Sequence, residues 1–485
     1  MRLVFITLEF SASTFSGNGI YARSQVRALA ALGNELLVIS GKPAGYQGTS
    51  ENEGAAELFE VELPVWGSLD RSSAWEAFAE GAGSEAVVSA VARFQANAVL
   101  GVDWTSLQAY KYLSTGLQHS AALIPPYVFM NYRVYHRTAS ADDRTFIAAR
   151  ESQAVESSVL TTVLSRSDAQ YIQNQLLGPS TTAAHLPVVL LPALRSDMEG
   201  LPLPPDIAKK QLSQSAHWGR TPEPRNAAAA SSTGNAPSTD ADLDAAAGNG
   251  NCEQPMKRRK HLTCCVRLSP EKEPERFVAL VEQLAGSGAL QRLGIIPLMC
   301  GSASGPYADG LKARLRAAVP DAVIEERFLG PADLARIFAA TALNVHPPLY
   351  DAYGMTVVEA ASQGAPSLVN AGGHVGAADL LSKERGEIFE ADFSVPEHEL
   401  AEHVEALLKE EQGRLASVGA AAAARARSWT EAANAQKLVQ LVRTALQARF
   451  DAICNRIFNG GEHVLDNYWA WPLSAYLLPI LPEED

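Results

Sequence analysis

Cysteine is scarce and unpatterned: Cys252, Cys264, Cys265, Cys300 and Cys454 are the five in 485 residues, and no C-x-x-C spacing occurs. That excludes a disulfide framework and a zinc site of ordinary ligand spacing, and it fits a reducing compartment. Positive charge is also short, with a formal net charge of -14 that argues against general affinity for nucleic acid or anionic lipid. The one basic cluster is Lys257-Arg258-Arg259-Lys260, read as the solvated end of a linker. No window approaches the ~20 apolar residues that span a bilayer. Met1 to Leu8 is too short and too weakly apolar for a signal peptide, so it reads as a buried first strand. The expected location is cytoplasmic.

What is present is an alternation of short apolar runs with helical patterns. Leu3–Leu8 reads as a strand, Ser16-Gly17-Asn18-Gly19 as a loop, Ile20–Leu32 as a helix, and Glu35–Ser40 as the next strand. Further strands are expected at 98–102, 127–130 and 160–164, and Ser165 is placed to cap a helix running towards Leu177. Such units build parallel sheets covered by helices. A second series begins at Leu262–Val266 and continues through strands at 295–300, 343–345 and 367–370. Between the series, residues 221–251 are rich in Ala, Ser, Gly, Asp and Pro and have almost no large apolar side chain to offset ordering entropy. The expected fold is α/β with two Rossmann-like domains facing a central cleft. Its expected divisions are residues 1–200, a low-complexity linker insertion at 201–260, a second domain at 261–430, and a C-terminal helix with an aromatic tail at 431–485. Leu400–Leu446 is Ala-rich and read as helical, and Tyr468–Leu478 suits docking on the protein's own surface or contact with a membrane interface.

The densest chemical signal lies between Leu349 and Gly373, where Asp351 and Glu359 bracket a Tyr353-Gly354 turn. Carboxylates accept paired hydroxyl hydrogen bonds and suit sugar or ribose diols. A helix starting inside the motif aims free N–H groups and its positive dipole end at an anion. Diols plus diphosphate describe a sugar nucleotide. The stretch resembles the E-x7-E signature of retaining GT-B glycosyltransferases (glycosyltransferase family 4), with Asp351 in place of the first Glu and about 1.5 Å shorter in reach. Val266-Arg267-Leu268-Ser269-Pro270-Glu271-Lys272 resembles the same family's G-R-L-x-x-E-K-G segment, with Val266 and Glu273 standing where Gly is usual.

The resemblance implies a donor that is a nucleotide diphosphate sugar of UDP or GDP type. No other cofactor and no metal are implied. Arg267 and Lys272 would sit against the diphosphate, Glu359 on the ribose and Asp351 on the transferred sugar. Tyr353, Gly354, Met355, Thr356 and Val357 would serve sugar and diphosphate; Gly17 and Gly19 would lie near the phosphates, Gly301 and Ser302 under the nucleotide, and Leu329 beside the base. Asp103, Asn131 and Arg133 fall at acceptor-side positions, Asn131-Tyr132-Arg133 standing where many relatives carry a His. The implied acceptor is a glycan, a lipid or a small molecule. Ser16-Gly17-Asn18-Gly19 lacks the third glycine of a dinucleotide loop, which disfavours NAD. Two other readings stand beside this one: a phosphorylase-type enzyme using Lys272 for a pyridoxal group, and a catalytically degenerate nucleotide-sugar-binding or scaffold protein.

Overall fold

Two doubly wound sheets of the same winding face each other. In this computed structural model, the described residues are 1–12, 14–177, 186–208, 259–301, 303–327 and 329–459. The low-complexity stretch, the aromatic tail, Ser302 and Phe328 therefore lie outside the described residues. The first sheet contains β1 (Arg2–Thr7), β2 (Glu35–Pro43), β3 (Glu57–Leu63), β4 (Ala98–Val102), β5 (Tyr127–Asn131), β6 (Leu160–Val163) and β7 (Val188–Val189). Its order is β3-β2-β1-β4-β5-β6-β7, and every pairing is parallel. The second contains β8 (His261–Cys265), β9 (Ile296–Cys300), β10 (Val323–Glu325), β11 (Thr341–His346), β12 (Ser367–Asn370) and β13 (Phe389–Ala391), ordered β10-β9-β8-β11-β12-β13.

The central strands are apolar on both faces because helices cover both: Leu36, Leu37, Val38 and Ile39 of β2 are all at 0% exposure. Edge strand β3 (Glu-Leu-Phe-Glu-Val-Glu-Leu) instead alternates apolar and charged residues from Phe59 to Leu63, as suits an edge with one wet face. Ser165 caps the helix Arg166–Tyr171, its Oγ accepting from Asp168 N at 3.1 Å. The Ala-rich C-terminal stretch is not one helix: it divides into Glu397–Lys409, Ala416–Ser428 and Glu431–Asn459.

The last of these returns to the first domain and packs on the helix Gly17–Ala31. Ser24 Oγ donates to Glu431 at 2.7 Å, Gln25 Nε2 donates to Asn434 Oδ1 at 2.6 Å, and Arg27 pairs with Glu431 at 2.9 Å. Asn434 Nδ2 and Trp429 Nε1 both donate to Leu191 O. One continuous buried apolar cluster runs from Leu3 and Val26 of the first sheet's layer through Val357 and Leu438.

In each sheet the strand order reverses between its first and fourth strands, β1/β4 and β8/β11. Loops leaving the carboxyl ends there diverge and open a crevice. The two crevices face each other.

Candidate functional site

At the second switch point, β8 delivers Val266–Lys272 and β11 delivers Pro347–Gly354 to the same place. The Lys272 ammonium lies 2.8 Å from Asp351 Oδ2, and His346 Nε2 lies 3.2 Å from the same oxygen, outside hydrogen-bond geometry. Burial alone would raise the Asp351 carboxyl, but the Lys272 charge and the His346 imidazole outweigh it and hold the group well below the usual carboxylate range. The backbone is pinned as well: Asp351 N donates to His374 O, and Gly376 N to Asp351 O. Gly354 follows at φ +83°, a left-handed turn that only glycine adopts without strain, and from it the helix Met355–Ser362 begins. The first amides of that helix thus face the crevice.

Glu359 sits one turn in, 3% exposed. Burial raises its carboxyl, opposed by the Arg195 guanidinium at 3.5 Å from the segment that joins the domains.

The opposite wall belongs to the first domain. Glu9, two residues beyond β1, accepts from Phe15 N at 2.8 Å and from Ser16 N at 2.7 Å, and its other oxygen accepts from Ser16 Oγ at 2.7 Å. The stretch expected as a glycine loop is the first turn of the helix Gly17–Ala31, capped by Ser16, and the Glu9 carboxylate braces that cap. A Cβ on Gly19 would lie 2.6 Å from the Glu9 side chain, so a larger residue there would displace the brace. Asp103, after β4, is 3% exposed and accepts from Asn18 Nδ2 at 2.6 Å, Tyr132 N at 2.8 Å and Tyr135 Oη at 3.3 Å. Burial pushes Glu9 and Asp103 each up to about 7.

Between the walls lies a cleft of about 830 Å³, ample for a ligand of drug size. Of the residues expected from sequence, Arg267, Lys272, Asp351, Glu359, Gly17, Gly301, Leu329, Tyr353, Gly354, Met355, Thr356 and Arg133 line it. Four do not. Gly19 lies on the buried face of the first turn of its helix, against Glu9, and Val357 is wholly buried in the core. Asp103 is sealed under Asn18 and Tyr135, so it touches the cleft only through them. Asn131 is 1% exposed, its amide beside the Glu151 carboxylate but outside hydrogen-bond geometry. Its place at the end of β5 turns the side chain into the domain, and it is Arg133, two residues on, that reaches the cleft. Glu9, His346, Arg195 and Glu271 are the functional candidates the sequence reading missed. Glu9 and His346 carried a signal, a polar residue at the carboxyl end of a switch-point strand; Arg195 carried none. Among the described residues no group of three or more His, Cys, Asp or Glu is placed to hold a metal.

Residues 253–426 match the family model described as glycosyl transferases group 1. That match spans the second domain. The described residues together have the GT-B fold. Sucrose-phosphate synthase from Thermosynechococcus elongatus superimposes with a TM-score of 0.64 at 14% identity, covering 92% of this chain and 100% of that one. The catalytic domain of starch synthase IV from Arabidopsis thaliana, bound to ADP and acarbose, gives 0.61 at 13% identity over 92% and 99%. An Anabaena protein in complex with UDP and glucose gives 0.57 at 13% identity over 92% and 100%. No curated protein matches the chain by sequence. The matched residues contain β8 to β13, and thus the whole Lys272–Asp351–Glu359 constellation. No helix among the described residues is long and apolar enough to cross a membrane.

Proposed function

We propose that the protein is a retaining glycosyltransferase that moves a sugar from a nucleotide diphosphate donor to a hydroxyl acceptor. One observation carries the reading: Lys272 and Asp351, on loops from adjacent strands, meet at 2.8 Å on the floor of the cleft, beside the start of the helix Met355–Ser362. Arg267 and Lys272 supply positive charge for the diphosphate, and the helix amides add donors aimed at the same anion. Lys272 and His346 both contact Oδ2 of Asp351, which leaves Oδ1 as the oxygen for a sugar hydroxyl. Glu359, one helical turn deeper, takes the ribose hydroxyls.

In the proposed step the bond from the anomeric carbon to the diphosphate oxygen breaks, and the acceptor oxygen bonds to the face just vacated. The acceptor's proton passes to the departing diphosphate oxygen, so no protein nucleophile is required. The paired state of Lys272 suits a phosphate clamp better than a Schiff base, which favours transfer over the phosphorylase-type chemistry.

The test uses a panel of UDP-, GDP- and ADP-sugars, with donor hydrolysis and transfer as readouts. Lys272→Ala should lower turnover by on the order of a hundredfold or more, as loss of a transition-state charge partner does, and Glu359→Ala should lower turnover at sub-saturating donor through the lost ribose contact, while far-UV circular dichroism stays unchanged. Near-normal turnover in either variant rules out the assignment. Tight sugar-nucleotide binding without turnover on any acceptor points to the scaffold reading.

A further inference from the structure

Glu271 stands immediately before Lys272 in the turn Pro270–Lys272, and it spans the cleft. Its Oε2 lies 3.0 Å from Arg133 Nη2 of the first domain, and its Oε1 lies 3.7 Å from Arg267 Nη1 of the second. All three side chains line the cleft. One carboxylate thus bridges two guanidinium groups that belong to opposite walls. Arg133 is also held from its own side: Nη2 donates to Thr138 Oγ1 at 2.8 Å, and the guanidinium lies 5.5 Å from the Tyr135 ring centre. Its side chain is only 21% exposed, so an anion meeting it does so largely out of water, where charge-assisted hydrogen bonds are strong.

The arrangement has the form of an anion site with an anion already in it. A hydrogen bond from Arg133 and an ion pair from Arg267 converge on the two oxygens of one carboxylate, and a phosphate offers a like pair of oxygens with more charge. The carboxylate is on a flexible side chain in a surface turn and is 32% exposed, so it has somewhere to go.

We propose that Glu271 is an internal stand-in for a ligand phosphate: it joins Arg133 and Arg267 across the cleft, and an incoming phosphate displaces it and takes both arginines. Arg133 is then a phosphate-binding residue presented by the acceptor-side wall. The proposal rests on the donor-cleft reading above for its location. Two sources supply the same chemistry, the diphosphate of the donor and a phosphate on the acceptor.

The experiment begins with inorganic pyrophosphate titrated into the full-length protein by calorimetry. Removing the internal competitor with Glu271→Gln should tighten pyrophosphate binding by on the order of tenfold, equivalent to about 1.4 kcal/mol. Arg133→Met should weaken binding, and the double variant should lose the gain that Glu271→Gln gives alone. Arg133→Lys, which keeps the charge without the fork, should recover part of the affinity and guards against a folding artefact. Unchanged or weaker binding in Glu271→Gln overturns the proposal, as does an Arg133→Met variant that binds like the wild type. Kinetics with the donor panel then assign the source. A raised KM for donor in the absence of acceptor points to the donor diphosphate. A raised KM confined to a sugar phosphate acceptor, with the unphosphorylated sugar unaffected, points to the acceptor. If the wild type binds none of the nucleotides, the glycosyltransferase reading fails, while the pyrophosphate comparison still decides the role of Glu271.

Discussion

At the scale of single residues, two glycines set the geometry of the two walls. Gly354 at φ +83° starts the helix beside Asp351, and a Cβ there would lie 3.3 Å from His346 Nε2 and from Val375. Gly354→Ala should therefore cost about 1–2 kcal/mol in stability from the left-handed backbone alone. It should weaken nucleotide-sugar binding further by tilting the helix start, and thermal melts with and without donor separate the two effects. The legibility of the site also divides at this scale. Asp351 and Lys272 were singled out because each stands in a segment that resembles a family motif, E-x7-E for the first and G-R-L-x-x-E-K-G for the second. The inward turn of Asn131 was not legible, because which residue after β5 faces the cleft depends on how the strand end turns, and no sequence pattern records that turn. Arg195 comes from an irregular segment whose only constraint is three-dimensional, its approach to Glu359.

Among elements, the strands buried on both faces announce themselves as unbroken apolar runs, while the edges do not. β3 alternates like an amphipathic surface strand, and β10 and β13 are three residues each, too short for any periodicity to register. The Ala-rich stretch read as helical is helical over most of its length. Alanine favours helix throughout and hides the break at Ser428–Thr430, where the chain leaves the second domain for the first. The returning helix is fixed by a buried polar contact: Asn434 is 0% exposed and bonds both Gln25 and Leu191 O. Asn434→Ala leaves Gln25 Nε2 without that acceptor in a dry interface, a loss of about 1–3 kcal/mol. Urea titration should show the lower midpoint, with the slope unchanged if the two domains still unfold together.

For the molecule as a whole, the first domain carries three buried carboxyls that share no arginine or lysine at hydrogen-bond distance. Burial raises Glu9 and Asp103 to about 7 and Glu151 to about 8. In the unfolded chain such groups titrate near pH 4. Between about pH 4 and pH 8 the folded protein therefore holds more protons than the unfolded one, and stability falls as pH rises through that window. The melting temperature should be higher near pH 5.5 than near pH 8.5, and Asp103→Asn with Glu151→Gln should flatten the difference. A steeper dependence in the double variant would contradict the assignment.

The crossing between domains has a consequence of its own. After β7 the chain already leans on the second domain: Arg427 donates to Glu199 O and Leu201 O, and Arg259 pairs with Asp206 at 3.4 Å. Residues 206 and 259 are thus neighbours in space, although some fifty residues separate them along the chain. That ion pair latches the end of the interdomain segment to the approach to β8. Arg259→Met should speed amide hydrogen exchange in both of these chain segments while the strands of the two sheets keep their protection.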